Sequence, residues 1–132
     1  MEAPKNFNTE KVPRTNFAFP QAVIAGDLIF LSGTVGIHPV TGKIISEDFE
    51  KQAMQAFHNV KTILEEAGSS MTNVVKTTIF MVSGYDSDFS IINRVYKEFF
   101  SENPPARSAP QLMPFPGGVL VSVECIALKS LD

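Results

Sequence analysis

The chain has 132 residues, a formal net charge of −3, eleven Phe, no Trp and one Cys. That length sets a single domain with a modest core. The acidic balance argues against a nucleic-acid footprint, and no apolar run approaches the length that crosses a bilayer. The first fifteen residues carry no apolar signal region, and a lone cysteine leaves no disulfide framework, so a cytoplasmic protein is expected.

In chain order, residues 1–16 are polar and aperiodic and predict a loose arm with at most a short edge strand. Residues 17–132 then form the single domain. Two apolar runs, 21–25 and 28–32, flank Gly26-Asp27. Gly at the first central position suits a type II′ hairpin turn. Pro39 and Thr41-Gly42 mark further turns.

Residues 47–67 give the strongest helical period. Phe49, Ala53, Ala56, Phe57, Val60, Ile63, Leu64 and Ala67 share one stripe, with Glu, Lys, Gln and Asn opposite. Ser46 or Asp48 can cap its start, and Gly68 suits a left-handed stop. Residues 74–83 are rich in β-branched side chains and predict a central strand. A second helix is expected over about 87–101, then strands at 106–112 and 118–128. The order β-β-α-β-α-β-β predicts an α+β domain with two helices on one face of a mixed sheet. The last strand is apolar on both sides, and two helices cover only one, so a homo-oligomer is expected.

Chemistry concentrates near the end of the chain. Arg107 follows Pro104-Pro105-Ala106 with few charges nearby, and its planar fork matches a carboxylate. Glu124 interrupts the apolar strand Val121-Ser122-Val123-Glu124-Cys125, where desolvation demands a partner or a function. Each is read equally well as a structural ion-pair member. Cys125 and Glu124 alternate to opposite faces, so Cys125 is expected in the core and not as a nucleophile. Only two histidines occur, His38 in a turn and His58 on a helix, with no Cys-x-x-Cys and no phosphate loop. No metal and no cofactor are therefore expected. Asn93 is a poor mid-helix residue, which a hydrogen bond to a loop or ligand would explain.

Several segments in order complete the pattern: Gln21-Ala22-Val23, Phe30-Leu31-Ser32-Gly33, Pro39-Val40-Thr41-Gly42, Asn59-Val60-Lys61 and Val75-Lys76-Thr77-Thr78. They continue through Asn93, Tyr96 and Phe99-Phe100 to Pro105-Ala106-Arg107-Ser108 and Glu124-Cys125-Ile126-Ala127. On these residues the sequence resembles the Rid family, also called L-PSP, over about residues 17–129. The resemblance implies a chorismate-mutase-like fold, a homotrimer with ligand sites between subunits, and cofactor-free hydrolysis of reactive enamines and imines to a 2-oxo acid and ammonia. It also implies roles. Arg107 would grip the substrate carboxylate and Glu124 would position or protonate around the attacking water. Ser32, Gly33 and Asn93 would line or support the pocket, and the Ala109 backbone would offer a donor. Two positions depart from the family pattern: Phe19 stands for a common Tyr and Ala109 for a common Cys. An aminomuconate-type enamine is then as credible a substrate as 2-aminoacrylate and its imine tautomer. The competing functions are a small-carboxylate-binding regulatory or interaction module without turnover and, less favoured by the charge, a ribonuclease or translation inhibitor.

Overall fold

A computed structural model describes residues 2–130. Seven strands are present: β1 (Lys5–Phe7), β2 (Ala22–Ala25), β3 (Leu28–Val35), β4 (Val74–Val82), β5 (Ala106–Ser108), β6 (Gln111–Leu112) and β7 (Val121–Leu128). Two α-helices, α1 (Phe49–Glu66) and α2 (Ser90–Phe99), complete the fold. The sheet runs β1-β2-β3-β7-β4-β5, with β6 also on β4. β4 is parallel to β5 and β6, and every other pair is antiparallel. The sheet is therefore mixed, as expected. Among the described residues no helix is long and apolar enough to cross a membrane.

The β2–β3 hairpin closes through Gly26-Asp27, with Ala25 opposite Leu28. Gly26 alone of the two takes a positive φ, +61°, as a type II′ turn requires. The N-terminal residues hold the edge strand allowed for in the sequence, and they are fastened beyond it. The Thr9 amide donates to Gln21 Oε1 at 2.7 Å, the Gln21 amide donates to Asn8 Oδ1 at 2.9 Å, and Val12 is buried in the core.

α1 begins where Asp48 accepts a hydrogen bond from the Lys51 amide at 3.0 Å, a side-chain cap. Its apolar stripe packs on β3 and β7 and meets α2. Phe57 is fully buried, and the rings of Tyr96, Phe99 and Phe100 lie 5.4–6.1 Å from it. Burial of one such side chain contributes about 1.5–3 kcal/mol. Two polar residues assigned to the solvent side of this helix are buried instead. Gln52 donates to the carbonyls of Ser46 and Gly118 and accepts from the Leu120 amide. Asn59 donates to the carbonyls of Val35 and Ile37. Loop backbone needs partners where it crosses a helix, and amide side chains supply them. Periodicity counts apolar residues and so misses such positions.

α2 starts later than the spacing predicts. Asp86 is buried and accepts from the amides of Ile91 and Ile92 at 3.0 and 2.7 Å, while Phe89 takes a left-handed φ of 63°. The expected strand 106–112 is broken at Ala109-Pro110, where the Pro110 carbonyl accepts from the Met81 amide. Proline has no amide to continue the ladder. The final strand begins at Val121 because Gly117 and Gly118 both hold positive φ just before it.

Alternation along β7 divides the sheet. Val121, Val123, Cys125 and Ala127 are buried beneath the helices, whereas Ser122, Glu124 and Ile126 are half-buried and Leu128 is exposed on the other side. Phe30 of β3 is also exposed there, paired with Ile126. No element of the chain covers this second face among the described residues.

Candidate active site

On the open face, β7 and β3 pair Leu31 with Cys125 and Thr34 with Val123. Two residues of β3, Ser32 and Gly33, thus stand against one of β7, Glu124. This is a β-bulge, a device that re-aims side chains beside a site. Gly33 lies against Ser122, where a Cβ would stand 2.6 Å from Oγ and would turn that hydroxyl aside. Ser32 Oγ donates to the Pro20 carbonyl at 2.7 Å, which ties the bulge to the segment carrying Phe19.

Glu124 pairs directly with Thr78 of β4, and Lys76 follows two residues away on the same face. Phe30, Lys76, Thr78, Glu124 and Ile126 line one shallow pocket. Lys76 Nζ is held by Ser108 Oγ at 2.9 Å. Thr78 and Lys76 were not singled out by sequence reasoning. Their signal is the polar step at alternate positions in a strand otherwise made of β-branched and apolar residues.

Arg107 lies on the opposite side of the sheet. It pairs with Thr77, which in turn pairs with Cys125, so all three point toward the helices. Thr77 Oγ1 and Tyr96 Oη share a hydrogen bond of 2.8 Å, and the Arg107 guanidinium carbon sits 5.0 Å from the centre of the Tyr96 ring. This cation–π contact fixes the fork at the sheet edge. Burial raises the Tyr96 phenol above its ordinary value, against the lowering effects of the Thr77 hydrogen bond and the Arg107 charge. The phenol therefore stays neutral and serves as a platform. One chain does not bring Arg107 and Glu124 together.

Neither charge is matched by an opposite one. Among the described residues the ion pairs are Lys5–Glu2, Lys11–Glu66 and Arg94–Glu50, and neither Arg107 nor Glu124 takes part. Ala109 is half-buried against the core, near Arg107 in sequence. Asn93 is exposed on α2, makes no side-chain hydrogen bond among the described residues, and lies outside the pockets named here. Cys125 is buried, and that burial, followed by the nearby Glu124 charge, pushes its thiol up to about 12. It is a core residue, as alternation predicts. His38 accepts the Val40 and Thr41 amides in its turn, and His58 lies edge-on to Phe99.

Phe19, Ser32 and Gly33 share a cleft with Arg14 of the polar N-terminal arm, a position with no periodic pattern to mark it. The signal was a lone arginine before the aromatic segment Phe17-Ala18-Phe19.

Similarity to known proteins agrees with this architecture. Residues 9–129 match the family described as Endoribonuclease L-PSP. A RutC family protein of Pyrococcus abyssi is 40% identical over 92% of this chain and 94% of its own length. The 2-iminobutanoate/2-iminopropanoate deaminase of Homo sapiens is 36% identical over 92% of this chain and 88% of its own. The crystal structure of RidA from an Antarctic Psychrobacter superposes with a TM-score of 0.87 at 36% identity, over 94% of this chain and 98% of that one. The fold is thus the chorismate-mutase-like α+β arrangement of two helices on a mixed sheet, and the chain belongs to the Rid family, the L-PSP family of that matching description.

Proposed function

We propose that the protein is a cofactor-free hydrolase of reactive 2-imino and 2-enamino acids, working as a homotrimer with sites between subunits. The observation that carries this is the pair of unmatched charges, Arg107 and Glu124, on opposite faces of one sheet. A buried or half-buried charge without a partner is costly, and a ligand or a second copy relieves it. Relatives named for 2-iminobutanoate and 2-iminopropanoate support the reaction class.

The chemistry follows from a few groups. Arg107 binds the substrate carboxylate through two parallel charge-assisted hydrogen bonds. The protonated imine carbon is already electrophilic, so orientation and one proton carrier suffice. Glu124 accepts a proton from the attacking water as its oxygen bonds to carbon. The proton then goes to nitrogen, the carbon–nitrogen bond breaks, and R–C(=NH2+)–COO− plus water becomes R–CO–COO− plus ammonium. An enamine enters the same path after protonation at its β-carbon. 2-Aminoacrylate with its imine tautomer and an aminomuconate-like enamine both fit the anchor.

Phe19 favours one other function. Its ring places no hydroxyl at the cleft rim, as a small-carboxylate-binding module without turnover would allow. Ammonia release from imines generated in situ by an amino-acid oxidase separates the two. Accelerated release is expected. Tight binding of a 2-oxo acid with no acceleration would favour the binding module.

A further inference from the structure

The cleft beside the bulge is lined by Val12, Pro13, Phe19, Gln21, Ser32 and Gly33 among others, and Arg14 is its one charged residue. Its cavity volume is about 30 Å³. That holds about two water-sized groups, so it takes the end of a ligand and not the whole of one.

Arg14 is held with most of its donors unused. Nη2 donates to the Phe19 carbonyl at 2.8 Å, and the guanidinium carbon stands 4.5 Å from the centre of the Phe17 ring. Nε is shielded from solvent and has no acceptor. No carboxylate pairs with Arg14 among the described residues. A half-buried guanidinium fixed by a carbonyl and a ring, shielded at Nε and lacking a counter-charge keeps donors free for an anion. Its planar fork suits a carboxylate. Ser32 and Gly33 join this cleft to the open face, because the same two residues oppose Glu124.

We propose that Arg14 is a specificity-determining residue that reads a second carboxylate on the substrate, so that imino acids with an acidic side chain are preferred over those with an apolar one. This rests on the deaminase function proposed above. The substrate's first carboxylate goes to Arg107 of the partner subunit, its imine carbon lies by Glu124, and its side chain turns past the Ser32–Gly33 bulge to Arg14.

The test compares imines generated from glutamate and from leucine, in the parent and in Arg14→Met, which keeps an unbranched apolar stem. The parent is expected to show the higher kcat/KM for the glutamate-derived imine. The ratio of the two values should fall about ten- to a hundredfold in the variant, the effect of one lost charge-assisted contact. Calorimetry with 2-oxoglutarate and 2-oxobutanoate should show the same loss of preference. A parent without preference, or a variant that loses both imines equally, would overturn the inference while leaving the deaminase intact. If the parent hydrolyses neither imine, the deaminase function fails and calorimetry alone decides. Preferential 2-oxoglutarate binding that depends on Arg14 would then support the site, and equal or absent binding would overturn it. A variant that no longer assembles, by sedimentation, would assign Arg14 to the subunit interface and overturn it too.

Discussion

The two faces of the sheet use the same strands for different ends. Beneath the helices, Cys125, Thr77 and Arg107 line up across β7, β4 and β5, and the row ends in a cation stacked on Tyr96. On the open face, Glu124 and Thr78 pair one residue along, beside the Ser32–Gly33 bulge. A shift of one residue in a strand sends a side chain to the other side of a sheet. The covered face is closed by packing within the chain. The open face is not, and it carries the acid. The difference teaches that the two groups expected to share a substrate are separated by the backbone of one chain, so the proposed common site would draw them from two copies.

That contrast breaks most sharply at Glu124. Glu124→Gln should keep the affinity for a stable 2-oxo acid within a few-fold and lower turnover by about 10²–10⁴, since the amide keeps the shape but cannot carry the proton. Steady-state kinetics beside calorimetry checks it, and loss of binding with unchanged turnover of bound substrate would reverse the assignment. Next is Arg107→Ala, expected to weaken activity on carboxylate-bearing imines by about thirty- to several-thousandfold, from a contact of about 2–5 kcal/mol. Arg107→Lys should recover little, because a point charge does not reproduce the fork. Unaltered oxo-acid affinity in Arg107→Ala would remove the anchor.

A smaller effect separates fold from site. Gly36 passes so close to α1 that a Cβ would lie 2.8 Å from Gln52 Cα and against its carbonyl. Gly36→Ala should cost about 1–3 kcal/mol of stability in a denaturant titration, while the folded fraction keeps its substrate preference. The smallest effect belongs to the covered face. Cys125→Ser should leave turnover within a few-fold, and alkylating reagent at pH 8 should not inactivate the folded protein. The thiol lies up near 12, so thiolate is scarce and no activity limb should track its ionisation between pH 7 and 9. Inactivation by alkylation would place the thiol on the wrong face.

Much of this was legible in the residues. The stripe from Phe49 to Ala67, the Asp48 cap and the II′ turn at Gly26 are local signals, and local chemistry decides them. Alternation alone placed Cys125 and Glu124 on opposite faces, as observed. The position of Arg107 was not legible. Its side depends on register with β4, a non-local pairing that strand composition does not encode. Gln52, Asn59 and Asp86 were hidden for a related reason, since each answers backbone groups far along the chain or beyond its own turn. Arg14 stood in a segment without periodicity, and only the carbonyl, the ring and the cleft around it give it meaning.

The most direct test of the split site is complementation between two inactive variants. Arg107→Ala and Glu124→Gln, co-expressed with different tags and purified together, form mixed assemblies. If each site takes its arginine from one subunit and its acid from the next, random mixing in a cyclic assembly makes about one quarter of the sites whole. About a quarter of the parent turnover should therefore return, from two proteins that separately show almost none. Mixed assemblies no more active than the average of the two variants would contradict the account, because both groups would then serve within one chain.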